Sequence, residues 1–268
     1  MKVCVIGAGS IGTTLASAME GIDEIEQVYV IDNSRRKIEA LERSLTKVKG
    51  AESFDDLLGQ VDLVIEAASQ RAVEEYLPLA LERGKDFMLM SVGALLNEEF
   101  RSRCRVLAKQ HGAHIYIPSG AVCGIEGLCA AAEEDLEEVV LISYKHPKAL
   151  EGVEYLRRRG IDLSKITRPR VVFDGTASDA VRHFPKNVNV AATISLAGLG
   201  FERTRVKIVV DPKVTKNMHR IVVKGRMGEI EVWCRNTPFP DNPRTSYLAA
   251  LSVIAAVRKI AGNMWIGV

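Results

Sequence analysis

The sequence predicts an α/β protein in two parts, a doubly wound parallel-sheet domain followed by a smaller α+β domain. Three observations carry this. Over the first ~118 residues, short apolar runs alternate with amphipathic stretches at regular spacing, the rhythm of strands joined by helical crossovers. A glycine-rich turn, G-A-G-S-I-G, lies between the first of these strands and the first helix. After Gly120 the rhythm changes to strands that follow one another more directly, a pattern of antiparallel pairing.

KVCVIG is the first strand, and SIGTTLASAMEG places Ile11, Leu15 and Met19 on one helical face before Gly21 ends it. QVYVID is the second strand, and Ile38, Leu41 and Leu45 mark the helix after it. Ser53 with Asp56 resembles a capping box opening SFDDLLG. VDLVIEAAS, DFMLMSVG and HIYIPSG are further apolar runs, separated by the helices AVEEYLPLALERG and NEEFRSRCRVLAKQHG. Such strands belong to a parallel sheet covered on both faces, whose ligand sits at the carboxyl ends of the strands.

In the second part GIEGLCAAAEED reads as helix, EEVVLISYKHP as strand, EGVEYLRRRG as helix and RPRVVFDG as strand. FPKNVNVAATISLAGLG is expected to form one helix with Pro185 near its start. RTRVKIVVDP, HRIVVKG and EIEVWCRN are strands, the last two joined through RMG as a hairpin. In the final segment Leu248, Leu251, Ile254, Ala255 and Val257 follow helical spacing, with Thr245 as the expected N-cap. So apolar a helix is expected to return to the first domain. The predicted domains are therefore residues 1–118 with 243–268, and residues 119–242.

Composition narrows the function. With 47% hydrophobic residues, 26% charged residues and a net charge of +2, the chain shows no sign of a nucleic-acid or anionic-membrane partner. Its longest weakly polar stretch, residues 188–201, is too short to cross a bilayer and carries Asn189, Thr193 and Ser195. The N-terminus has no charged n-region or cleavage site, so a cytoplasmic location is expected. Five scattered cysteines predict neither a structural metal nor a disulfide framework. Cys123 is a candidate thiol by its place in the chain, although a small buried hydrophobe is the plainer reading.

The glycine turn carries the first chemistry. Gly7 permits the tight turn, Gly9 lets a pyrophosphate approach the backbone, and Gly12 allows close helix packing, with Ser10 and Ile11 opening the helix. Asp32, followed by Asn33, ends the second strand 20 residues beyond Gly12, where an acidic side chain accepts hydrogen bonds from the adenosine ribose. Together these predict dinucleotide binding. Asp32 favours the free hydroxyls of NAD, while Arg35 and Arg36 could pair with a 2′-phosphate, so NAD is expected to be preferred and NADP tolerated. Ala67, Ala68 and Ser69, then SVGAL and PSGAVCG, put small residues at three successive strand ends, leaving room for a nicotinamide ring.

A nicotinamide cofactor implies hydride transfer and a proton-transfer group. Of five histidines, His111, His114 and His146 fall where a structural role is expected. His183 precedes Lys186, Asn187 and Asn189, a cluster able to bind a carboxylate or carboxamide. His219, in KNMHRIVVKG, reads by its neighbours alone as a strand-edge histidine.

VIGAGSIG, EAASQRAVEEYLP, IPSGAVCGIEGL, FPKNVNVAATISLAG, MHRIVVKG and NPRTSYLAALSVIA, in this order, resemble the L-aspartate dehydrogenase family from residue 1 to about 260. The glycine motif is generic; the EAASQ, PSGA, PKNVNVAAT and NPRTSYLAALS blocks are specific to the family. The resemblance implies a Rossmann domain with a smaller domain that mediates homodimerisation. It implies oxidative deamination of L-aspartate to oxaloacetate and ammonia through iminoaspartate, with NAD or NADP, as a possible feed for NAD biosynthesis. It makes His219 the active-site histidine and Cys123 and Asn189 cofactor-contacting positions, Cys123 replacing a small alanine of the family pattern; Ala121, in PSGAVCG, is a further cofactor-binding candidate. Catalysis needs a base near neutral pKa, which is expected of His219, and the two substrate carboxylates need partners such as His183, Lys186, Asn187 and Ser119. Domain closure is expected. Two alternatives remain: a dehydrogenase or reductase of the homoserine or dihydrodipicolinate type, and a non-catalytic dinucleotide sensor.

Overall fold

The computed structural model describes residues 1–184, 188–239, 242 and 245–267. The chain divides into two compact units, Met1–Gly120 with Ala250–Val268, and Ala121–Ala249. Lys186 and Asn187 lie outside the described residues. Among the described residues no helix is long and apolar enough to cross a membrane.

The first unit alternates strand and helix. In order these are β1 (Lys2–Ile6), α1 (Ser10–Glu20), β2 (Gln27–Ile31), α2 (Arg35–Ser44), β3 (Val48–Gly50), α3 (Phe54–Leu58), β4 (Leu63–Glu66), α4 (Gln70–Glu82), β5 (Asp86–Leu89), α5 (Glu98–His111) and β6 (Ile115–Tyr116). The six strands pair in parallel in the order β3-β2-β1-β4-β5-β6. Strand order reverses between β1 and β4, which is where such sheets open a crevice for a ligand. Val3, Cys4 and Val5 of β1 and Val64 and Ile65 of β4 are fully buried, as strands covered on both faces require. Sequence patterning does not reveal β3, since three residues with one buried valine carry no period. Ser53 and Ser69 cap α3 and α4, accepting from Asp56 N and Ala72 N.

The second unit contains α6 (Ile125–Ala131), β7 (Leu136–Lys145), α7 (Glu154–Arg158), β8 (Arg170–Thr176), α8 (Ala177–His183), α9 (Asn189–Ala197), β9 (Arg205–Val210), β10 (Asn217–Gly225) and β11 (Gly228–Asn236); α10 (Tyr247–Ala261) begins here. Its sheet runs β11-β10-β7-β9-β8. The pairing is antiparallel as expected except between β7 and β9, which are parallel because β8, α8 and α9 carry the chain back to the starting end.

Two expected elements differ. The helix expected over FPKNVNVAATISLAGLG is shorter, α9 running only from Asn189 to Ala197, and α8, which stops at His183 just before that segment, was not expected. Phe184 sits at φ −131°, ψ 56°, outside helical space, as a residue before proline prefers; Pro185 itself lies outside the described residues. The last helix starts at Tyr247 and not directly after Thr245, because Ser246 bridges Pro238 and the Thr245 carbonyl accepts from Phe239 N, holding both residues out of the helix. From Ala250 onward α10 belongs to the first unit.

Candidate active site

The turn after β1 is shaped by crowding on one side and space on the other. Gly7 has φ +103°, and a Cβ there would meet Ala67 O at 2.8 Å and Ala68 Cβ at 3.0 Å. At Gly12 a Cβ would lie 1.8 Å from Gly7 O, so the helix can approach the turn only with glycine. A Cβ on Gly9 would meet nothing within 4 Å. Gly9 is the N-cap of α1, no side chain caps that end, and no acidic residue lies in its first turn. Open space before uncapped N–H groups fits the diphosphate of a dinucleotide.

Asp32 is tied to this cradle. Its Oδ2 accepts from Ala8 N at 2.7 Å and its Oδ1 from Ser34 N at 2.8 Å, while Lys37 Nζ lies 4.0 Å away. Each oxygen keeps lone-pair capacity for a ribose hydroxyl. Asn33 beside it is exposed. Arg35 is engaged with Glu39 at 3.4 Å and Glu52 at 3.7 Å, whereas Arg36 is exposed.

The small residues after β4 are held by a group that sequence reasoning passed over. Glu66 is fully buried, and its carboxylate accepts from Ala68 N (2.7 Å), Ser91 N and Ser91 Oγ (2.9 Å each) and Met90 N (3.2 Å). Burial pushes its pKa up against these four donors. Glu66 thereby joins the Ala67–Ser69 turn, which packs on Gly7, to the turn after β5. The signal was the acid Glu66 enclosed by apolar residues in LVIEAA.

His219 anchors the other candidate centre. The register pairs it with Ser143 of β7 on one side and Cys234 of β11 on the other, so all three side chains share one face of the sheet. It is not a strand-edge residue: β10 is hydrogen-bonded on both sides, and His219 is 5% exposed. Its Nδ1 and Ser143 Oγ are 3.0 Å apart. Burial, with a smaller contribution from the Lys145 charge, pushes the imidazole down to about 3, so the expected near-neutral base is in this state a neutral one of low proton affinity. Lys145, two residues along β7 from Ser143, is pushed down to about 8 by desolvation although part of its side chain reaches the surface.

Where β7 ends and β10 begins lies a cavity of about 940 Å³, lined within the second unit by Lys145, His146, Tyr155, His183, Lys216 and Asn217 among others; His219 and Ser143 do not line it but lie two residues along their strands from Asn217 and Lys145. His183 is exposed there, its ring 4.6 Å from that of Tyr155. His146, expected to be structural, accepts from Lys148 N and also lines the cavity. His114 pairs with Asp86 at 3.1 Å and His111 ends α5, both at the start of β6 and so at the opposite end of the first unit's sheet from the glycine cradle. Cys123 is exposed, not the buried hydrophobe of the plainer reading; its N donates to Cys234 Sγ at 3.3 Å. The Ala121 carbonyl accepts from Asn236 at 2.6 Å, Asn189 opens α9, and Ser119 lies partly buried after β6.

Residues 126–260 match the family described as "Aspartate dehydrogenase, C-terminal", and residues 7–118 match "Homoserine dehydrogenase, NAD binding domain". The chain is 45% identical to the L-aspartate dehydrogenase of Methanosarcina acetivorans, covering 100% of this chain and 99% of that one. It is 38% identical to the L-aspartate dehydrogenase of Nitrosopumilus maritimus, covering 98% and 97%. Its fold superposes on the crystal structure of aspartate dehydrogenase from Thermotoga maritima with a TM-score of 0.79 at 28% identity, covering 100% and 99%. A glycine cradle clamped by Asp32, a buried His219–Ser143 pair and full-length similarity to these enzymes lead to one conclusion: the chain belongs to the L-aspartate dehydrogenase family.

Proposed function

We propose that the protein is an NAD(P)-dependent L-aspartate dehydrogenase, converting L-aspartate to iminoaspartate and thence to oxaloacetate and ammonia, in a form able to feed NAD biosynthesis. The observation that carries this is the buried His219–Ser143 pair, two residues along β10 and β7 from Asn217 and Lys145, which line a cavity with several cationic side chains. Bound NAD or NADP supplies the hydride acceptor.

The chain's own residues do the rest. Gly7, Gly9, Ser10, Ile11 and Gly12 hold the diphosphate; Asp32, with Asn33, accepts from the ribose and disfavours a 2′-phosphate, so NAD is preferred and exposed Arg36 leaves NADP tolerated. Ala67, Ala68 and Ser69 leave room for the ring, and Ala121, Cys123 and Asn189 complete the cofactor contacts. His183, Ser119, Lys186 and Asn187 receive the substrate. His219, pushed down to about 3, stands neutral at neutral pH, ready to take a proton from the amine or from the water that attacks the imine. A carboxylate arriving beside it raises its proton affinity, because an opposite charge favours the imidazolium.

The enzyme acts in the cytoplasm as a homodimer, with residues 119–242 as the substrate and dimerisation domain and residues 1–118 with 243–268 as the dinucleotide-binding domain. Support for the dimer is the outward face of the second sheet, where Ile142, Met218 and Trp233 are half-buried or exposed. Purified protein is expected to reduce NAD with L-aspartate at alkaline pH, and His219→Ala to lower kcat by ~10²-fold or more. An unaffected variant, or turnover of L-homoserine without turnover of L-aspartate, removes the assignment.

A further inference from the structure

The cations around the second unit's cavity are not equivalent. Arg158 lies 2.5 Å from Glu154, and Arg182 lies 4.0 Å from Asp179. Arg159 rests over the ring of Tyr155 at 5.0 Å. Lys148 and Lys216 are exposed and solvated. Lys145 differs from all of these. It lies on the cavity wall partly buried, no carboxylate among the described residues pairs with it, and desolvation is the sole influence perturbing it.

A cation drawn out of water without a counter-ion is costly, and an anion placed beside it removes that cost. The position makes such an anion useful. Lys145 and Ser143 are two residues apart on β7 and so face the same side, and Ser143 is hydrogen-bonded to His219 on the neighbouring strand. Anything paired with Lys145 is therefore held on the sheet face that carries the imidazole.

We propose that Lys145 is a substrate-anchoring residue, pairing with one carboxylate of a small dicarboxylate and holding it on the His219 face. This deepens the dehydrogenase reading and rests on it. Lys145 stands outside the cluster Lys186–Asn187 that spacing alone suggested, because a lysine at the end of an apolar strand carries no local signature of a binding role.

The test compares wild type, Lys145→Met, Lys145→Gln and Lys145→Arg, each checked for folding by thermal melting. The readouts are KM and kcat for L-aspartate, and calorimetric binding of succinate, a dicarboxylate without an amine. Lys145→Met and Lys145→Gln are expected to raise KM by ~10–100-fold, the range for losing a hydrogen bond to a charged group, with kcat changed far less and succinate binding lost. Lys145→Arg, which keeps the charge, is expected to bind succinate measurably. A folded Met or Gln variant with wild-type KM and succinate affinity overturns the anchor, as does a loss confined to kcat. Should Lys145→Met not fold, the Gln and Arg variants decide by the same criteria. Wild type that neither turns over L-aspartate nor binds succinate overturns the dehydrogenase reading itself, whereas wild-type turnover with an indifferent Lys145 overturns the anchor alone.

Discussion

At the scale of single residues, burial of an imidazole has a consequence for stability as well as chemistry. The His219 pKa falls from its ordinary 6.5 to about 3, chiefly through burial and then through the Lys145 charge. Between those values the unfolded chain binds a proton that the folded protein refuses, so stability falls as pH falls from 6.5 toward 3 and is fully present above 6.5. His219→Gln lacks this proton. Its melting temperature is expected to lie below that of wild type at neutral pH, and the gap to narrow on acidification across this window; a gap that widens contradicts it. Family blocks in the sequence led to His219. Its companions were hidden, because Ser143 is 76 residues away and meets it only through strand pairing.

At the scale of elements, the loops at the strand ends are made rigid by one carboxylate. Glu66 gathers four donors from the turns after β4 and β5, and the first of those turns packs against Gly7. Glu66→Gln directs an amide N–H at one or more of these donors. The expected cost is about 1–3 kcal/mol of folding stability, measured by denaturant unfolding, together with weaker NADH binding measured by fluorescence titration. A variant of wild-type stability and affinity excludes the bracing role. Apart from the three-residue β3, helices and strands of the first unit were legible because each repeats its period for at least a turn or a pleat pair, as in SIGTTLASAMEG. The late start of α9 was less so, because apolar spacing runs through FPKNVNVAATISLAGLG while the Phe184 backbone departs from helix ahead of a proline.

At the scale of the whole molecule, the outward face of the second sheet sets an expectation about assembly. Ile142 and Met218 sit on it near Trp233, whose ring stacks on Tyr144 at 5.8 Å and lies under Arg220 and Arg235. Wild type is expected to sediment as a dimer and Ile142→Asp, with melting temperature little changed, as a monomer; a monomeric wild type refutes the dimer. The glycine cradle and its acidic partner were readable from residue order, since Gly7, Gly9, Gly12 and Asp32 act through local turn geometry and one strand pairing at fixed spacing. The setting of His219 was not. Which strands lie next to β10, and in what register, depends on packing among segments distant in the chain, and that packing put Ser143, Lys145 and Cys234 around the imidazole and drew it out of water.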